Sequence, residues 1–494
     1  MLTNAEPGGT NAESDAAALV HVDETGLAAW MGRAVGEIER TRRDLTPDAV
    51  HDLRVALRRC LSMADIHMTM DPFEGWKDMK REGRRLFKRL GDLRDAQIMR
   101  EWAGRLFGEQ DPAGQLMDAY LQIQEAQLRR RAAKTLDGFN LKKWQKWRSR
   151  LPSRLPSIPP EDPVFLQLAL ERWQAARELH HQALRNRSRM SFHRLRIGLK
   201  HFRYTVENYL PHRHELWGID LKQLQDVLGE YHDLHILWQT ARQIGALQDM
   251  DVRAAWHARL EDERGKRLQV YREKALGKGS VWSIWRSGLP SGKELEQAAE
   301  RRIRLWAAFR DRDFARTEHV ADLAAQLYEG LEQAGSVAAA EATLSRVVLQ
   351  AASIMCNVGL AVRNKKSHKA SYRMISAADP PLGFPPEIYR LAALAALYHR
   401  GAFPQADQRH FMGLSGEHRR AVLLASAILR LADAMSPKGD ARIHRLAVGR
   451  TADAILISAA GYLEADPLAR RLAAARHPLE VVLGAPVLIR TLGD

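Results

Sequence analysis

Two sequence motifs each occur twice in this chain, in the same order and at nearly the same separation. "HDLRVALRR" at residue 51 matches "HRLRIGLKH" at residue 193, an offset of 142 residues. "RRLFKRLGDLRDAQIM" at residue 84 matches "KQLQDVLGEYHDLHIL" at residue 222, an offset of 138 residues. A single match of this kind arises easily by chance, but an ordered pair does not. The pair predicts an internal duplication of a helical unit of about 140 residues.

The apolar residues follow helical spacing, at i, i+3, i+4 and i+7, almost throughout residues 24–275. The proline-rich stretch "RLPSRLPSIPPEDP" interrupts this pattern. It divides the duplicated part into two predicted repeats, at about 24–150 and 164–275. Residues 1–23 are rich in Ala, Gly and acidic residues, and we interpret them as a flexible tail.

A second helical pattern occupies residues 295–494, after a Gly- and Ser-containing stretch at 276–294 that we interpret as a linker. Near its end, "IHRLAVGRTADAILISAAGYLEAD" alternates between apolar and polar residues on either side of a turn and contains β-branched residues. This pattern is typical of a β-hairpin. "APVLIRTL" predicts a third strand. The predicted fold class is therefore mainly α: a duplicated helical bundle followed by an all-helical domain that ends in a short β-hairpin.

The chain carries a net charge of +15, and most of this surplus lies in the duplicated part. Residues 25–290 hold 48 Lys and Arg against 34 Asp and Glu, a net charge of +14. A surplus of this size favours an anionic partner, such as nucleic acid, an acidic membrane surface or another polyanion.

The two cysteines, Cys60 and Cys356, are too few for a disulfide framework, which suits a reducing cytoplasm. The first residues lack the pattern of a signal peptide, and no long apolar run predicts a transmembrane helix. We therefore expect a cytoplasmic protein that does not insert into the membrane. Its oligomeric state stays open.

A basic stripe runs along one helix of each repeat. His51, Arg54 and Arg58 stand at i, i+3 and i+7, so they share one face of a helix, opposite its apolar side. The second repeat has the equivalent stripe, and the later helix of each repeat adds cations; these further residues are His193, Arg196, Lys200, Arg203, Arg84, Lys88, Arg94, Lys222 and His232. Clustered cations repel one another unless an anion lies between them. Phosphate suits Arg, Lys and His as donors, but on residue chemistry alone a solvated helix face stays equally open.

The paired motifs resemble the CHAD domain, the conserved-histidine α-helical domain, over about residues 24–275. The resemblance rests on "VHDLRVALRR" with "LGDLRDAQIM" and on "FHRLRIGLKHFRY" with "LGEYHDLHIL". It implies two pseudosymmetric helical bundles that bind inorganic polyphosphate in a basic central channel, with the cations of both stripes and of the later helices as contacts. Two differences between the repeats affect these contacts: Asp226 stands where the first repeat has Lys88, and Leu61 stands where the second has Arg203.

Another basic cluster, "RRRAAKTLDGFNLKKWQKWRSR" at 129–150, contains Trp144 and Trp147. Basic residues with interleaved aromatic residues are also found in proteins that stack nucleic-acid bases. The favoured interpretation is an amphipathic helix whose tryptophans face inward and whose cations are solvated. An extension of the polyanion surface and a nucleic-acid contact stay open as alternatives.

The last 200 residues resemble the HD-type helical domain at the C-terminal end of the exopolyphosphatase/guanosine pentaphosphatase family. The likeness covers about residues 295–494 and rests on "SHKASYRMI", "GFPPEIYRLAALAALYHRGAFP" and "AVLLASAILRLADAM". Within this pattern the residues that resemble metal ligands are His319, His368, His399 and Asp433. The resemblance implies a frame in which such residues hold a divalent ion that activates water against phosphorus.

The His-Asp pair of such a site is missing, because the helix that should carry it reads "LQAASIMCNVGLAV". Cys356 and Asn357 occupy the two positions. Asn lacks the negative charge that holds the ion, and Cys is a soft ligand that is poorly matched to Mg²⁺ or Mn²⁺. We therefore predict no catalytic residue, no metal and no cofactor, and we interpret the four remaining candidates as vestigial.

The sequence thus predicts a non-catalytic polyphosphate-binding protein of the cytoplasm, with association with polyphosphate granules as an open alternative. The rival interpretation is a metal-dependent polyphosphate or nucleotide phosphohydrolase that uses the four vestigial candidates and a divalent metal. A nucleic-acid binder is disfavoured, because it rests on charge and on the tryptophan-containing cluster, without a recognisable motif.

Overall fold

The computed structural model describes residues 26–107, 110–154, 158–362, 366–405, 408–463 and 467–492. The predicted tail at 1–23 lies outside these residues. The described chain is predominantly helical with one small sheet, which confirms the predicted mainly-α class. It forms two compact units, one containing the described residues up to Met68 with Phe73–Pro290, and the other Thr69–Pro72 with the described residues from Ser291 onwards.

The first unit contains four long helices in each repeat. In chain order the helices of the first repeat are α1 (Leu27–Arg43), α2 (Pro47–His67), α3 (Glu74–Leu106), α4 (Pro112–Asp137) and a short α5 (Leu141–Arg150). Those of the second repeat are α6 (Pro163–Asn186), α7 (Arg189–Tyr209), α8 (Pro211–Gln243) and α9 (Met250–Ala275). Consecutive helices pack on each other in the same order in both repeats, so α1–α4 correspond to α6–α9.

The two helices that carry the basic stripes have defined starting points. Thr46 caps α2 by accepting a hydrogen bond from the amide of Ala49, and Pro47 follows at the first helical position. Ser188 caps α7 in the same way, by accepting from the amide of Ser191. Both helices therefore start just before their motif, which sets the rotation of each basic face.

Corresponding helices meet across the two repeats. Helix α2 packs against α7, and α3 packs against α8. A cluster of apolar side chains joins the ends of α3 and α4 to α8 and α9, with the rings of Phe107 and Trp256 stacked 3.5 Å apart. Leu53 and Leu199, on the predicted apolar sides of the stripes, are fully buried. The opposite, basic faces of α2 and α7 are left for the cavity described below.

The first unit continues past the predicted start of the linker at 276. Helix α10 (Val281–Ser287) carries Trp282 and Trp285, which are both buried. The ring of Trp285 lies 5.5 Å from that of Phe202 on α7. Apolar burial of two tryptophans thus attaches this segment to the helical unit, and the unit ends at Pro290.

The second unit contains eight helices among its described residues and one 3₁₀ turn, Val358–Ala361. The helices are α11 (Gly292–Ala308), α12 (Phe314–Gln333), α13 (Ala339–Met355), α14 (Ser367–Ser376), α15 (Pro386–Tyr398), α16 (Arg409–Met412), α17 (Gly416–Met435) and α18 (Pro467–Leu483). Helix α13 is central, since α12, α15 and α17 all pack against it. The stretch Ala342–Ala361 is apolar and long enough to cross a bilayer by length and composition, but most of it is buried as in a core helix.

A three-stranded sheet closes the second unit. Strands β1 (Leu446–Arg450) and β2 (Ile455–Ala459) form the predicted antiparallel hairpin, with Leu446 opposite Ala459. Strand β3 (Val487–Thr491) pairs with β2 in parallel, Ile455 lying opposite Val487. A parallel pair needs a long crossover, and α18 supplies it. The domain therefore ends in a three-stranded sheet with a crossover helix, not in a hairpin alone.

Candidate anion-binding site

The two repeated motifs of each repeat meet at a glycine. A methyl group added to Gly91, in the "LGD" of α3, would lie 2.6 Å from Nη1 of Arg54 on α2. In the second repeat, a methyl group on Gly229 would lie 3.6 Å from Nε of Arg196. The first motif therefore supplies an arginine, and the second supplies the bare helix surface over which that arginine extends.

A cavity of about 250 Å³ lies in the first unit and takes side chains from both repeats. Its cations come from the predicted stripes and from α3. The residues around it are His51, Arg54, Val55, Arg58, Arg94, Asp95, Ile98, Arg196, Lys200, Tyr204, Gln225 and Asp233. The structure thus brings together six residues that were predicted on two separate stripes and on α3.

Two buried donors in the cavity lack a partner among the described residues. The Nε atoms of Arg58 and Arg196 are buried and make no hydrogen bond. Arg54, by contrast, donates from Nη1 to the carbonyl of Phe87 at 3.1 Å. Buried donors without acceptors are costly, so such a cavity is suited to a ligand that is rich in acceptor oxygens.

Each cation of the cavity destabilises the charged form of its cationic neighbours. Burial, followed by the charges of Arg196, Arg58 and Arg54, lowers the pKa of Lys200 to about 7. Burial is also the main reason that the pKa of the Arg54 guanidinium is lowered, with Arg58 and Arg94 adding to the effect. A polyanion would relieve both contributions, because it restores the favourable environment that the charged forms lose.

Two carboxylates stand among these cations. Burial raises the pKa of Asp95, and it raises that of Asp233 to about 6. Arg196 is the largest opposing influence on Asp233. Neither carboxylate has a hydrogen-bonding or ion-pairing partner among the described residues.

The remaining predicted contacts lie outside this cavity. His193 and His232 face each other with ring centroids 4.7 Å apart, and each pKa is lowered chiefly by burial and next by Arg196. Arg203 points to Glu207 on its own helix, at 3.7 Å. Lys88 and Lys222 are exposed and do not line the cavity.

A smaller cavity of about 190 Å³ adjoins the first through Tyr204, which lines both. Arg84, a predicted contact, lines this cavity together with Arg172 and His201. Lys80 also lines it but is ion-paired with Asp65. Arg172 lies outside the repeated motifs, and His201, the last residue of "HRLRIGLKH", was not assigned to the predicted basic stripe, so sequence reasoning did not single them out.

Sequence reasoning missed four polar residues of the cavity, Asp95, Tyr204, Gln225 and Asp233, besides the apolar Val55 and Ile98. A signal existed for the two acids. They occupy the same place in "LGDLRDAQIM" and "LGEYHDLHIL", 138 residues apart. The predicted contacts were restricted to basic residues, so this repeated carboxylate was not among them.

The tryptophans of the cluster at 129–150 face inward. Trp144 is fully buried and donates from its indole nitrogen to the carbonyl of Met31. Trp147 is 7% exposed. The cations Lys142, Lys143 and Lys146 of the same helix α5 are exposed. The arrangement matches the favoured interpretation of an amphipathic helix and leaves neither indole ring available for base stacking.

In the second unit, the carboxylate of Asp433 accepts hydrogen bonds from arginine side chains. Its Oδ1 accepts hydrogen bonds from Nη2 of Arg316 at 2.7 Å and from Nη2 of Arg400 at 2.8 Å. Its Oδ2 accepts from Nε of Arg400 at 3.1 Å. Burial opposes ionisation of this carboxyl, but the hydrogen bonds and charge of Arg400 prevail and hold its pKa well below its usual range.

The neighbouring positions do not complete a metal site. Asn357 donates from Nδ2 to Oγ1 of Thr317 at 2.9 Å, and burial raises the pKa of the Cys356 thiol to about 12. His399 is buried and donates from Nδ1 to the carbonyl of Ala396 at 2.7 Å. His368 lies against the backbone of Gly401 instead.

Within the described part of the chain, no three His, Cys, Asp or Glu side chains are grouped so that they could hold a metal ion. The only carboxylate of the four candidates is neutralised by guanidinium groups, and the position of the missing acid carries a neutral amide. The residues present therefore do not fit the divalent ion that an HD-type site implies.

A third cavity, of about 610 Å³, lies in the second unit beside Arg400. No described Asp or Glu side chain lines it. Its charged and aromatic lining consists of Lys366, His368, Lys369, Tyr372, Arg373, Tyr398, Arg400, Arg409 and His410. Part of the basic run "RNKKSHK" contributes to this lining, while residues 363–365 of that run lie outside the described residues.

Comparison with known families agrees with this division of the chain. The model of the CHAD domain matches residues 27–242. The model described as Ppx/GppA phosphatase, domain III, matches residues 304–471. Both resemblances identified from the sequence are thereby confirmed, in the same order along the chain. No curated protein matches the chain.

Proposed function

Because the chain carries a CHAD domain followed by a Ppx/GppA phosphatase domain III, we propose that it binds inorganic polyphosphate in the cavity lined by both repeats of the first unit. The observation that carries this proposal is the convergence of Arg54, Arg58, Arg196 and Lys200 on one cavity. Two of these side chains keep a buried nitrogen without an acceptor. A chain of phosphates supplies both the negative charge and the acceptor oxygens.

The size of the cavity favours polyphosphate over nucleic acid. A volume of about 250 Å³ admits a few phosphate groups but not a base-paired duplex. Among the described residues that line it, the aromatic side chain is that of Tyr204, which already lies under the Arg58 guanidinium at 5.3 Å and so offers no free platform for base stacking. Polyphosphate has no sugar or base, so it brings its charges closer together than a nucleic acid does.

The second unit acts without hydrolysis in this proposal. Its candidate metal ligand Asp433 is bonded to Arg316 and Arg400, so a dication at that carboxylate would have to displace two guanidinium groups. The basic cavity beside Arg400 supports a contribution of this unit to anion binding. Retention of polyphosphate without turnover is thus the function we propose for the whole chain.

The test compares ligands on the full chain. Long-chain polyphosphate, duplex DNA and RNA of matched total charge are titrated at several salt concentrations, and released phosphate is followed in the same samples with Mg²⁺ or Mn²⁺. We expect polyphosphate to bind most tightly, with an affinity that falls steeply with salt as counterions are released; this rule is borrowed from nucleic acids. Equal affinity for DNA, or metal-dependent release of phosphate above background, contradicts the proposal.

A further inference from the structure

Asp95 and Asp233 occupy equivalent positions in the two repeats and line the same cationic cavity. One lies on α3 and the other on α8, two helices that pack against each other. The two carboxylates influence each other, because the charge of Asp95 contributes to the raised pKa of Asp233. A site for a polyanion thus contains two negative charges of its own.

Neither of these acids takes part in a fixed ion pair among the described residues. Among the described residues, neither has a nitrogen of Lys, Arg or His within ion-pairing distance or a hydrogen-bond donor. Other acids near the cavity are engaged: Glu101 pairs with Arg94 at 3.2 Å, and Glu230 pairs with Arg267 at 3.0 Å. Asp95 and Asp233 therefore balance the cavity's cations only through space.

A phosphate chain in the cavity brings like charges beside both carboxylates. Repulsion of this kind is relieved when the carboxylate takes up a proton. On this basis, and resting on the proposed function, we infer that Asp95 and Asp233 are internal counter-anions of the empty cavity, and that polyphosphate binding is coupled to proton uptake by the cavity.

The groups around the two acids support a net uptake, not a release. Asp95 and Asp233 are surrounded mainly by cations on α2, α3 and α7. On α9, which packs against α8, Arg264 contacts His235 and Glu261. Arg267 of the same helix pairs with Glu230 and Glu263. The titratable and polar groups at the cavity are His51, Arg54 and Arg58 on α2, Arg94 and the nearby Asp92 on α3, Arg196, Lys200 and Tyr204 on α7, and Gln225 and the nearby Glu230 on α8. Among them Lys200 shares the cavity with both acids and titrates near neutrality.

A bound polyanion changes the pKa of Asp233 and that of Lys200 in the same direction. Burial raises the pKa of Asp233 to about 6, and an approaching polyanion raises it further. Burial lowers the pKa of Lys200 to about 7, and a polyanion raises it again. Both groups are partly or fully deprotonated in the free protein at pH 7.5 and gain protons in the complex. By linkage, affinity for polyphosphate rises as the pH falls from 8 to 6.

The experiment is calorimetric titration of the full chain with long-chain polyphosphate at pH 7.5, in two buffers with different ionisation enthalpies. The difference between the observed heats gives the number of protons taken up. We expect an uptake of a substantial fraction of one proton, and an affinity that weakens about three- to tenfold per pH unit between 7 and 8. Asp233→Asn and Asp95→Asn should bind more tightly at pH 8, with a shallower pH dependence, and Lys200→Arg should also reduce the uptake.

Asp262→Asn is the matched control, because Asp262 is an exposed acid of the same unit, paired with Lys266 away from the cavity. It should leave the uptake unchanged, and the shared ligand cancels any titration of polyphosphate itself. Binding without proton uptake overturns this inference alone, as does an unchanged pH dependence in both Asp95→Asn and Asp233→Asn when their thermal melting matches the natural protein. Absence of binding at every pH and at low salt overturns the proposed function and this inference with it.

Discussion

The guanidinium of Arg54 rests on the backbone of α3 at Gly91, where an added methyl carbon would lie 2.6 Å from Nη1. The corresponding contact in the second repeat is looser, because a methyl carbon on Gly229 would lie 3.6 Å from Nε of Arg196, an ordinary van der Waals distance. The same pair of motifs thus builds a tight contact once and a relaxed contact once. The difference gives a matched pair of substitutions.

Gly91→Ala should weaken polyphosphate binding, while Gly229→Ala should leave it nearly unchanged. The new methyl group displaces the flexible end of Arg54 from the cavity, and it meets no such obstacle at Gly229. Neither variant should lose stability, since both positions are inside a helix, where Ala is favoured over Gly by about 1 kcal/mol. Titration with polyphosphate and thermal melting check the two expectations. Equal effects of the two substitutions on affinity would contradict the role of the Gly91 contact.

Replacement of Arg54, Arg58, Arg196 and Lys200 by Ala should abolish most polyphosphate binding. Each lost charge-assisted contact is worth on the order of 1.5–3 kcal/mol. Because one ligand contacts both repeats, the effects of the pairs Arg54/Arg58 and Arg196/Lys200 need not add. Affinity is measured for both pairs and for the quadruple variant.

The matched control for that variant removes four exposed cations of α5, by changing Lys142, Lys143, Lys146 and Arg150 to Ala. It removes the same number of Lys and Arg side chains but leaves the cavity intact, so only a modest, salt-sensitive loss of affinity is expected. If the control loses as much affinity as the cavity variant, the surface of α5 and not the cavity holds the polymer. If the folded quadruple variant binds normally, the shared cavity is not the site.

Asp433→Asn should destabilise the second unit by roughly 3–5 kcal/mol, because it leaves Arg316 and Arg400 partly buried without their carboxylate. Calorimetric unfolding measures the loss. Asp440→Asn is the control, since the side chain of Asp440 is only partly buried and its ion-pair partner Arg442 is exposed.

The contribution of Asp433 also sets a pH dependence. Its folded-state pKa lies below its usual range, so this stabilisation is present above the unfolded pKa of about 4 and is lost as the pH falls through the folded value. In the Asp433→Asn variant, the unfolding temperature of the second unit should therefore respond less to acidification below pH 4. An identical acid response in both proteins would show that Asp433 is not the group that titrates.

Restoration of the missing His-Asp pair should not by itself create a metal site. A variant with Cys356→His and Asn357→Asp still presents a carboxylate at Asp433 that two guanidinium groups occupy. We expect no stoichiometric Mn²⁺ by elemental analysis until Arg316 and Arg400 are also changed to Gln. One equivalent of Mn²⁺ in the double variant alone, or in the natural protein, would favour the phosphohydrolase interpretation instead.

Helical spacing predicted which faces of α2 and α7 are buried, because side chains at i, i+3 and i+7 lie on one side of any regular helix. Leu53 and Leu199 are buried and Arg54 and Arg196 reach a common cavity for that reason. Lys88 shows the limit of this reasoning. Its position on a basic helix is evident from the sequence, but its rotation away from the cavity depends on how α3 packs against α2 and α8.

Contacts between segments that are distant in the sequence could not be predicted from the sequence. Arg316, Arg400 and Asp433 come from the start of α12, the residues after α15 and the end of α17, and no local pattern indicates that they meet. The two tryptophans of α10 were visible, yet a short segment between Gly and Pro residues gives no sign of the core it will enter. Such contacts follow from tertiary packing, which overrides local composition.

The arginines at Asp433 also bear on whether the fold of the second unit requires a metal ion. A metal ion is a dissociable partner, so a site built on one is occupied only while free ion exceeds its dissociation constant. Arg316 and Arg400 are attached to the same chain as Asp433, and their effective concentration at the carboxylate is set by the fold. We therefore expect the folding of this unit to be unaffected by chelators and by metal starvation, conditions that would remove the ion from a site built on one.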